Sequence, residues 1–389
     1  PKSSPVDRMT HDHNYTNTET ILHVWSWNFP TIAANMKQIA DAGFTMIQTS
    51  PVNACFSPEG GNVKILDEKE GNWYHYYQPT DWTIGNNIVG SEEEMKVMLD
   101  SAKKYDIRVL VDVLPNHVAF NINLVSDAFY EAVGGREKMF HSKGLQGIQD
   151  YNDRTQCTLQ GVGGLPDVNT ENPLFQKYYM EFVNKLLNMG VRGFRYDTAK
   201  HIGLSDDPQD DPSLPNNFWE RVTTEVTNAD KLFMYGECLQ DGGERLADYI
   251  DVIGATTASS YAQFLRGSFN TKTLLAQTVT NLRIGDATPN VVTWVESHDN
   301  YTGDDKTYAS LDNNKVARAW SVLAAREIGT PLFFARPYGA TSDNMWGTGA
   351  NNMTAIREGL PMENVTESFI IKDKDGKPYA SDIQSIEFS

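Results

Sequence analysis

The chain has 389 residues, 40% hydrophobic and 22% charged, and its 51 acidic against 33 basic side chains give a formal charge of −18. A nucleic-acid partner needs a basic face and an anionic membrane surface repels an acidic one, so neither is an expected partner. No apolar run reaches the roughly 18 to 20 residues of a membrane-spanning helix, and the length suits one large barrel or two to three smaller domains.

Pro1 to Thr20 are polar, and His11 and His13 belong to an expected solvated tail. A start at Pro rather than Met is compatible with removal of a leader, which leaves export open. Eight short β-rich runs follow: Thr20–Trp27, Met46–Pro51, Arg108–Leu114, Gly193–Asp197, Phe233–Cys238, Val252–Ala258, Val291–Asp299 and Pro331–Pro337. Between them Ile32–Ala42, Glu92–Tyr105, Pro173–Met189, Phe218–Val226 and Asn314–Glu327 carry apolar residues at helical spacing. Ser91 with Glu94, and Asn172-Pro173, are helix-start signals. Alternating strands and helices on this scale predict an α/β fold, a (β/α)8 TIM barrel.

Two connections, 52–90 and 118–171, exceed ordinary βα loops several-fold, and such excursions tend to carry function. The predicted organisation is a barrel from 1–117 and 172–337, a small inserted subdomain at 118–171 after strand 3, and a short, atypical C-terminal segment at 338–389. That segment has weak helical periodicity in Met353–Leu360 and a hairpin signal at Asp375-Gly376. It reads as truncated or divergent. Cys55, Cys157 and Cys238 allow at most one disulfide and form no zinc pattern. Sequons at Asn14, Asn300, Asn352 and Asn364 are of a kind frequent by chance; Asn300 adjoins Asp299 and is expected to be unmodified.

In such a barrel the active site lies at the carboxyl ends of the strands. The third strand ends in Asp112, Asn116 and His117; the fourth in Arg195 and Asp197, followed by Lys200 and His201; the fifth in Glu237; the seventh in Glu296, His298 and Asp299. Several acids in one cleft push each other's pKa apart, which is what glycoside hydrolysis by one ionised and one protonated carboxyl requires. Arg195, two residues before Asp197, points to the same side of its strand and can hold that acid ionised. Asp197 is therefore the expected nucleophile. Glu237 is the expected proton donor, raised by nearby negative charge and partial desolvation. No G-x-S-x-G elbow or Walker A loop is present, and Gly161–Gly164 lacks the helix a dinucleotide site needs.

The segments VDVLPNH (111–117), LPDVN (165–169), GFRYDTAKH (193–201), YGEC (235–238) and WVESHD (294–299) resemble, in order and approximate spacing, the signature segments of the α-amylase family, glycoside hydrolase family 13. NWYHYYQPTDWTIGN (72–86) is similar to the second-strand loop of bacterial, Bacillus-like members. The resemblance implies a secreted, monomeric, endo-acting retaining hydrolase of α-1,4-glucosidic bonds in starch, glycogen and malto-oligosaccharides. A maltogenic, α-1,6-acting or glucosyl-transferring sibling, or an inactive glucan-binding protein, are the alternatives. It implies Asp197 as nucleophile, Glu237 as acid/base and Asp299 as transition-state stabiliser. Trp73, Tyr74, Tyr77, Gln78, His117, Arg195, Lys200, His201 and His298 would contact substrate. It also implies a Ca²⁺ held by Asn116, Asp167 and the carbonyls of Thr158 and His201. Ser297 stands where chloride-activated members have Asn, so no chloride site is expected.

Overall fold

The computed structural model describes residues 19–56 and 73–345, apart from 272, 276, 286, 288, 338 and 339, together with strands Glu367–Lys372 and Ser385–Phe388. Eight parallel strands close into a barrel: Ile21–Val24, Met46–Thr49, Arg108–Val113, Gly193–Tyr196, Phe233–Gly236, Thr256–Thr257, Val291–Trp294 and Thr330–Phe334. Each pairs with the next in sequence, and the first closes on the eighth through Ile21 opposite Leu332. Side chains alternate across a strand, so Ile21, Met46, Leu110, Phe233, Val292 and Leu332 pack together as one cluster. Leu22, Ile47, Val109, Val111 and Phe194 belong to a second cluster with helix residues such as Ile32, Met36, Met95 and Val183.

Several helices begin where their capping chemistry directs. Asn28 accepts from the amide of Thr31 ahead of helix Phe29–Asp41, and Ser91 and Glu94 form a reciprocal capping box at Glu92–Lys104. Asn172 caps Pro173–Met189, and Gly190 leaves it at φ 123°.

Two expected strands are shorter than their apolar runs. The expectation that Val252–Ala258 is a strand is corrected: Leu246–Ile253 is helical, because Leu246, Tyr249, Ile250 and Ile253 bury one helical face, and only Thr256–Thr257 join the barrel. The ladder expected over Val291–Asp299 stops at Trp294, because Ser297 and Asn300 form a capping box that starts helix His298–Thr302.

The first long excursion contains a hairpin, Asn53–Cys55 with Pro79–Ile84, and the helical turn Trp73–Tyr77. The second starts and ends at an antiparallel bridge between His117 and Asp167 and holds helices Asp127–Ala132, Arg136–Met139 and Arg154–Leu159. Near the C-terminus, Glu367–Lys372 pairs antiparallel with Ser385–Phe388 and parallel with Thr273–Leu275. These two late strands flank Asp375-Gly376; the turn itself, Met353–Leu360, His11, His13 and the sequons at 14, 352 and 364 lie outside the described residues. Among the described residues no helix is long and apolar enough to cross a membrane. Cys55, Cys157 and Cys238 are all free thiols.

Candidate active site

Barrel register assembles the acids. Arg195 lies opposite Asp112 on one neighbouring strand and opposite Tyr235 on the other, so its guanidinium sits between the third strand and the fifth. Nη1 donates to Asp112 at 2.8 and 3.0 Å and to Asp197 Oδ1 at 2.7 Å, while Nη2 donates to Glu237. One buried cation thus ties three carboxylates together, where the spacing of Arg195 and Asp197 alone suggested only their own pair.

The backbone around the acids is shaped for this packing. Thr198 takes φ 48° immediately after Asp197 and leads into the short turn Ala199–His201, a conformation that a β-branched residue adopts only under surrounding constraint. Gly236 has no alternative, since a Cβ there would lie 2.7 Å from Ala199 Cβ and 2.8 Å from Ile253 Cδ1. The close approach lets the Ala199 amide donate to the Glu237 carbonyl at 2.9 Å, fixing the fifth-strand end against the fourth-strand turn.

Glu237, Asp299 and His298 line a narrow cleft together with His23, Gln48, Arg195 and Tyr235. Asp197 joins it through the shared guanidinium. Glu237 is raised above the usual carboxyl range first by burial and then by the charges of Asp197, Asp299 and Asp112, against the pull of Arg195. The direction is the one expected from sequence, but desolvation outweighs the neighbouring charge. Asp112 is also raised by burial, although Arg195 and a hydrogen bond from Tyr77 Oη at 2.7 Å oppose it. Three acids on one arginine, with Asp299 lining the same cleft, cannot all ionise cheaply, and of the two raised groups Glu237 is the one that faces the cleft.

Tyr77 and His298 stack at 5.4 Å with their rings 10° apart. His117 Nε2 donates to the Tyr77 carbonyl at 2.9 Å and stands 4.0 Å from Asp197 Oδ2. Gln78 Oε1 accepts from the amide of Phe120 at 3.0 Å. Tyr74 is exposed, and the side chain of Trp73 lies outside the described residues. Lys200 is buried, its ammonium donating to the Leu239 carbonyl at 2.9 Å and to Asp241, so it fastens the fourth-strand turn to the loop after the fifth. His201 Nδ1 donates to the Cys157 carbonyl at 2.8 Å. Glu296 is at the seventh-strand end but outside the cleft: Arg336 binds both its oxygens, at 2.5 and 2.8 Å. Asn300 is internal to the capping box, and its amide nitrogen donates to Asp305 at 2.7 Å.

Several partners are not singled out by sequence pattern. His23 is buried with Nε2 unpartnered, and its ring meets His298 edge-on at 5.2 Å; the sign was a histidine sharing the inward face of Ile21. His141 is buried between Asp167, at 2.6 Å, and Glu171, at 2.9 Å. Burial opposes its charged form, yet hydrogen bonds to both acids push it up to about 10. Arg154 clamps the inserted segment to the barrel, donating to Asp207 at 2.9 Å, to the Lys200 and Gly243 carbonyls at 3.0 and 2.7 Å, and to Tyr249 at 2.8 Å.

Residues 28–328 match the sequence profile described as alpha amylase, catalytic domain. The chain is 43% identical over 352 residues to an alpha-amylase of Butyrivibrio fibrisolvens, covering 84% of this chain and 36% of that one. It is 31% identical to an alpha-amylase of Clostridium acetobutylicum, covering 92% and 46%. The chain thus spans half or less of the length of these relatives. Alpha-amylase I of Eisenia fetida superposes with TM-score 0.66 at 19% identity, covering 87% of this chain and 73% of that one. The alpha-amylase of Geobacillus thermoleovorans in complex with acarbose gives 0.63 at 20%, covering 87% and 76%. With a barrel that closes through eight parallel strands and a family profile that runs across most of it, the chain belongs to the alpha-amylase catalytic-domain family.

Proposed function

We propose that this barrel cleaves internal α-1,4-glucosidic bonds of starch-like glucans with retention of anomeric configuration. The observation that carries the reading is the Arg195 cluster, which holds Asp197 and Glu237 on one guanidinium beside a cleft that also takes Asp299. Asp197 attacks the anomeric carbon while Glu237 passes its proton to the glycosidic oxygen, so the carbon–oxygen bond breaks and a glycosyl ester forms. Water then gives a proton to Glu237 and attacks the same carbon, releasing Asp197. Asp299, His117 and His298 hold sugar hydroxyls as oxocarbenium character develops. Tyr77, with Tyr74 and Gln78, forms the platform wall, while Lys200 and His201 shape the leaving-group wall. Residues 1–117 and 172–337 would make up the catalytic domain and 118–171 an inserted subdomain. The Eisenia enzyme with a Glu→Gln change is described in complex with maltohexaose, which supports an α-glucan as substrate class.

Incubation with an end-blocked maltoheptaoside and with pullulan, followed by sizing of products, tests the reading. Internal cuts in the first and none in the second are expected. Cleavage of pullulan points to an α-1,6-acting sibling, and silence on both points to a binding protein.

We further propose that Ca²⁺ fastens the inserted segment to the barrel. Asp167 fits this role: Oδ2 is taken by His141, and Oδ1 is buried without a partner. Backbone pairing brings Asn116 beside Asp167, and the His201–Cys157 hydrogen bond brings His201 beside Thr158. No group of three or more His, Cys, Asp or Glu among the described residues is placed to hold a metal ion by itself, so the donor set would combine Asp167, Asn116 and carbonyls, oxygen donors that suit this ion. When bound, the ion would supply cross-linking rather than chemistry at the sugar. Chelation is expected to lower the melting temperature and activity together, and calcium to restore both; an unchanged melting temperature in chelator rejects the assignment.

A further inference from the structure

Two aromatic side chains among the described residues stand open to solvent, Tyr74 at 55% and Phe120 at 70% exposure. Both belong to the same rim. Phe120 follows His117 on the segment leaving the third barrel strand, and Tyr74 precedes Tyr77 in the helical turn of the excursion after the second. Hydrogen bonds stitch these two segments together: His117 Nε2 to the Tyr77 carbonyl at 2.9 Å, the Ala119 amide to the Pro79 carbonyl at 2.8 Å, and the Phe120 amide to Gln78 Oε1 at 3.0 Å. The same segments carry Tyr77, bonded to Asp112, and His117, 4.0 Å from Asp197.

A phenylalanine left in water forgoes the burial that most other aromatic side chains among the described residues obtain. Here its backbone is held by the rim, so little main-chain freedom remains to be lost when something packs on the ring. The ring is flat, neutral and apolar, and the chain around it is strongly acidic. Those properties suit an uncharged ligand with one C–H-rich face, such as a pyranose.

We propose that Phe120 is a subsite for a glucose unit remote from the bond that breaks, and that it sets the length of glucan the enzyme prefers. The proposal rests on the glucan-hydrolase reading above. A short oligosaccharide filling the residues around Asp197 and Glu237 does not reach Phe120; a longer one lays a further ring on it.

The test uses the full chain carrying Glu237→Gln, so that sugars bind without turnover, and measures affinities for maltotriose and maltoheptaose by calorimetry. Adding Phe120→Ala is expected to weaken maltoheptaose roughly fivefold to tenfold while leaving maltotriose within about twofold, and Phe120→Trp is expected to retain the affinity for the longer sugar. Unchanged maltoheptaose affinity in Phe120→Ala overturns the proposal, as does equal weakening of both sugars. Failure of the Glu237→Gln protein to bind either sugar overturns the glucan reading itself, and the two failures are therefore distinct.

Discussion

Glu237→Gln is expected to lower kcat on maltoheptaose by about 10³-fold, the scale of a lost general acid, while affinity for the same sugar persists. The amide keeps the shape of the carboxyl and one of its two acceptor oxygens, but it has no acidic proton to give the leaving oxygen. Asp197→Asn is expected to do as much damage at the covalent step. The pH profile of the parent enzyme follows from the same cluster. Burial, with Asp197 and Asp299 adding to it, holds Glu237 above the ordinary carboxyl range. The proton needed for catalysis is therefore retained at pH values where an exposed glutamate has lost it, and the alkaline limb of kcat/KM is expected well above pH 5. A Glu237→Gln enzyme with near-parental kcat, or an alkaline limb at the pKa of an ordinary glutamate, removes Glu237 from the role of proton donor.

Arg195→Leu is expected to be the most destabilising single change near the cleft. The leucine removes the guanidinium bonded to Asp112, Asp197 and Glu237 and leaves three acids facing each other in a buried space. Breaking a buried pair in this way costs roughly 3 to 5 kcal/mol. The sign of its pH dependence follows from the acids. Losing the arginine raises the folded-state pKa values of Asp112 and Glu237 further, so ionising these two in the folded protein is penalised above the unfolded carboxyl pKa, near about 4. The melting-temperature deficit of Arg195→Leu should therefore widen as pH rises from about 4 toward 8 and narrow on acidification. Arg195→Lys separates charge from geometry: one ammonium restores part of the stability, but it cannot span the positions of Nη1 and Nη2. Its kcat is expected to stay far below that of the parent. A deficit that is flat with pH argues that Arg195 acts through packing alone.

The barrel was legible because its signals are periodic. All eight apolar runs contribute a strand, and the capping residues Ser91 with Glu94 and Asn172 start the helices expected of them. The two misjudged ends share a cause. In Leu246–Ile253 and Ser297–Thr302, a helical face or a capping box overrides the β-branched residues beside it.

Strand-end acids were legible as a group because a parallel barrel gathers them at one end. Their division of labour was not, since it depends on which carboxylates one guanidinium reaches and which face the cleft. Glu296 and Asp299 are three positions apart, yet Arg336 from beyond the eighth strand claims the first and the second lines the cleft. The pairing of His141 with Asp167 and Glu171 was invisible for a similar reason. Its partners lie 26 and 30 residues away, and nothing in the local pattern marks the histidine.

The meeting of Ile21 with Leu332 joins positions about three hundred residues apart in the chain. Until that seam forms, both flanking strands present unpaired amides and carbonyls, the kind of edge that recruits other chains. Loop-closure entropy of that length makes the seam late and slow. Expression yield should therefore depend on keeping nascent polypeptide dilute or chaperoned until Thr330–Phe334 has emerged. Fragments ending before it should accumulate as aggregate rather than as a smaller working unit.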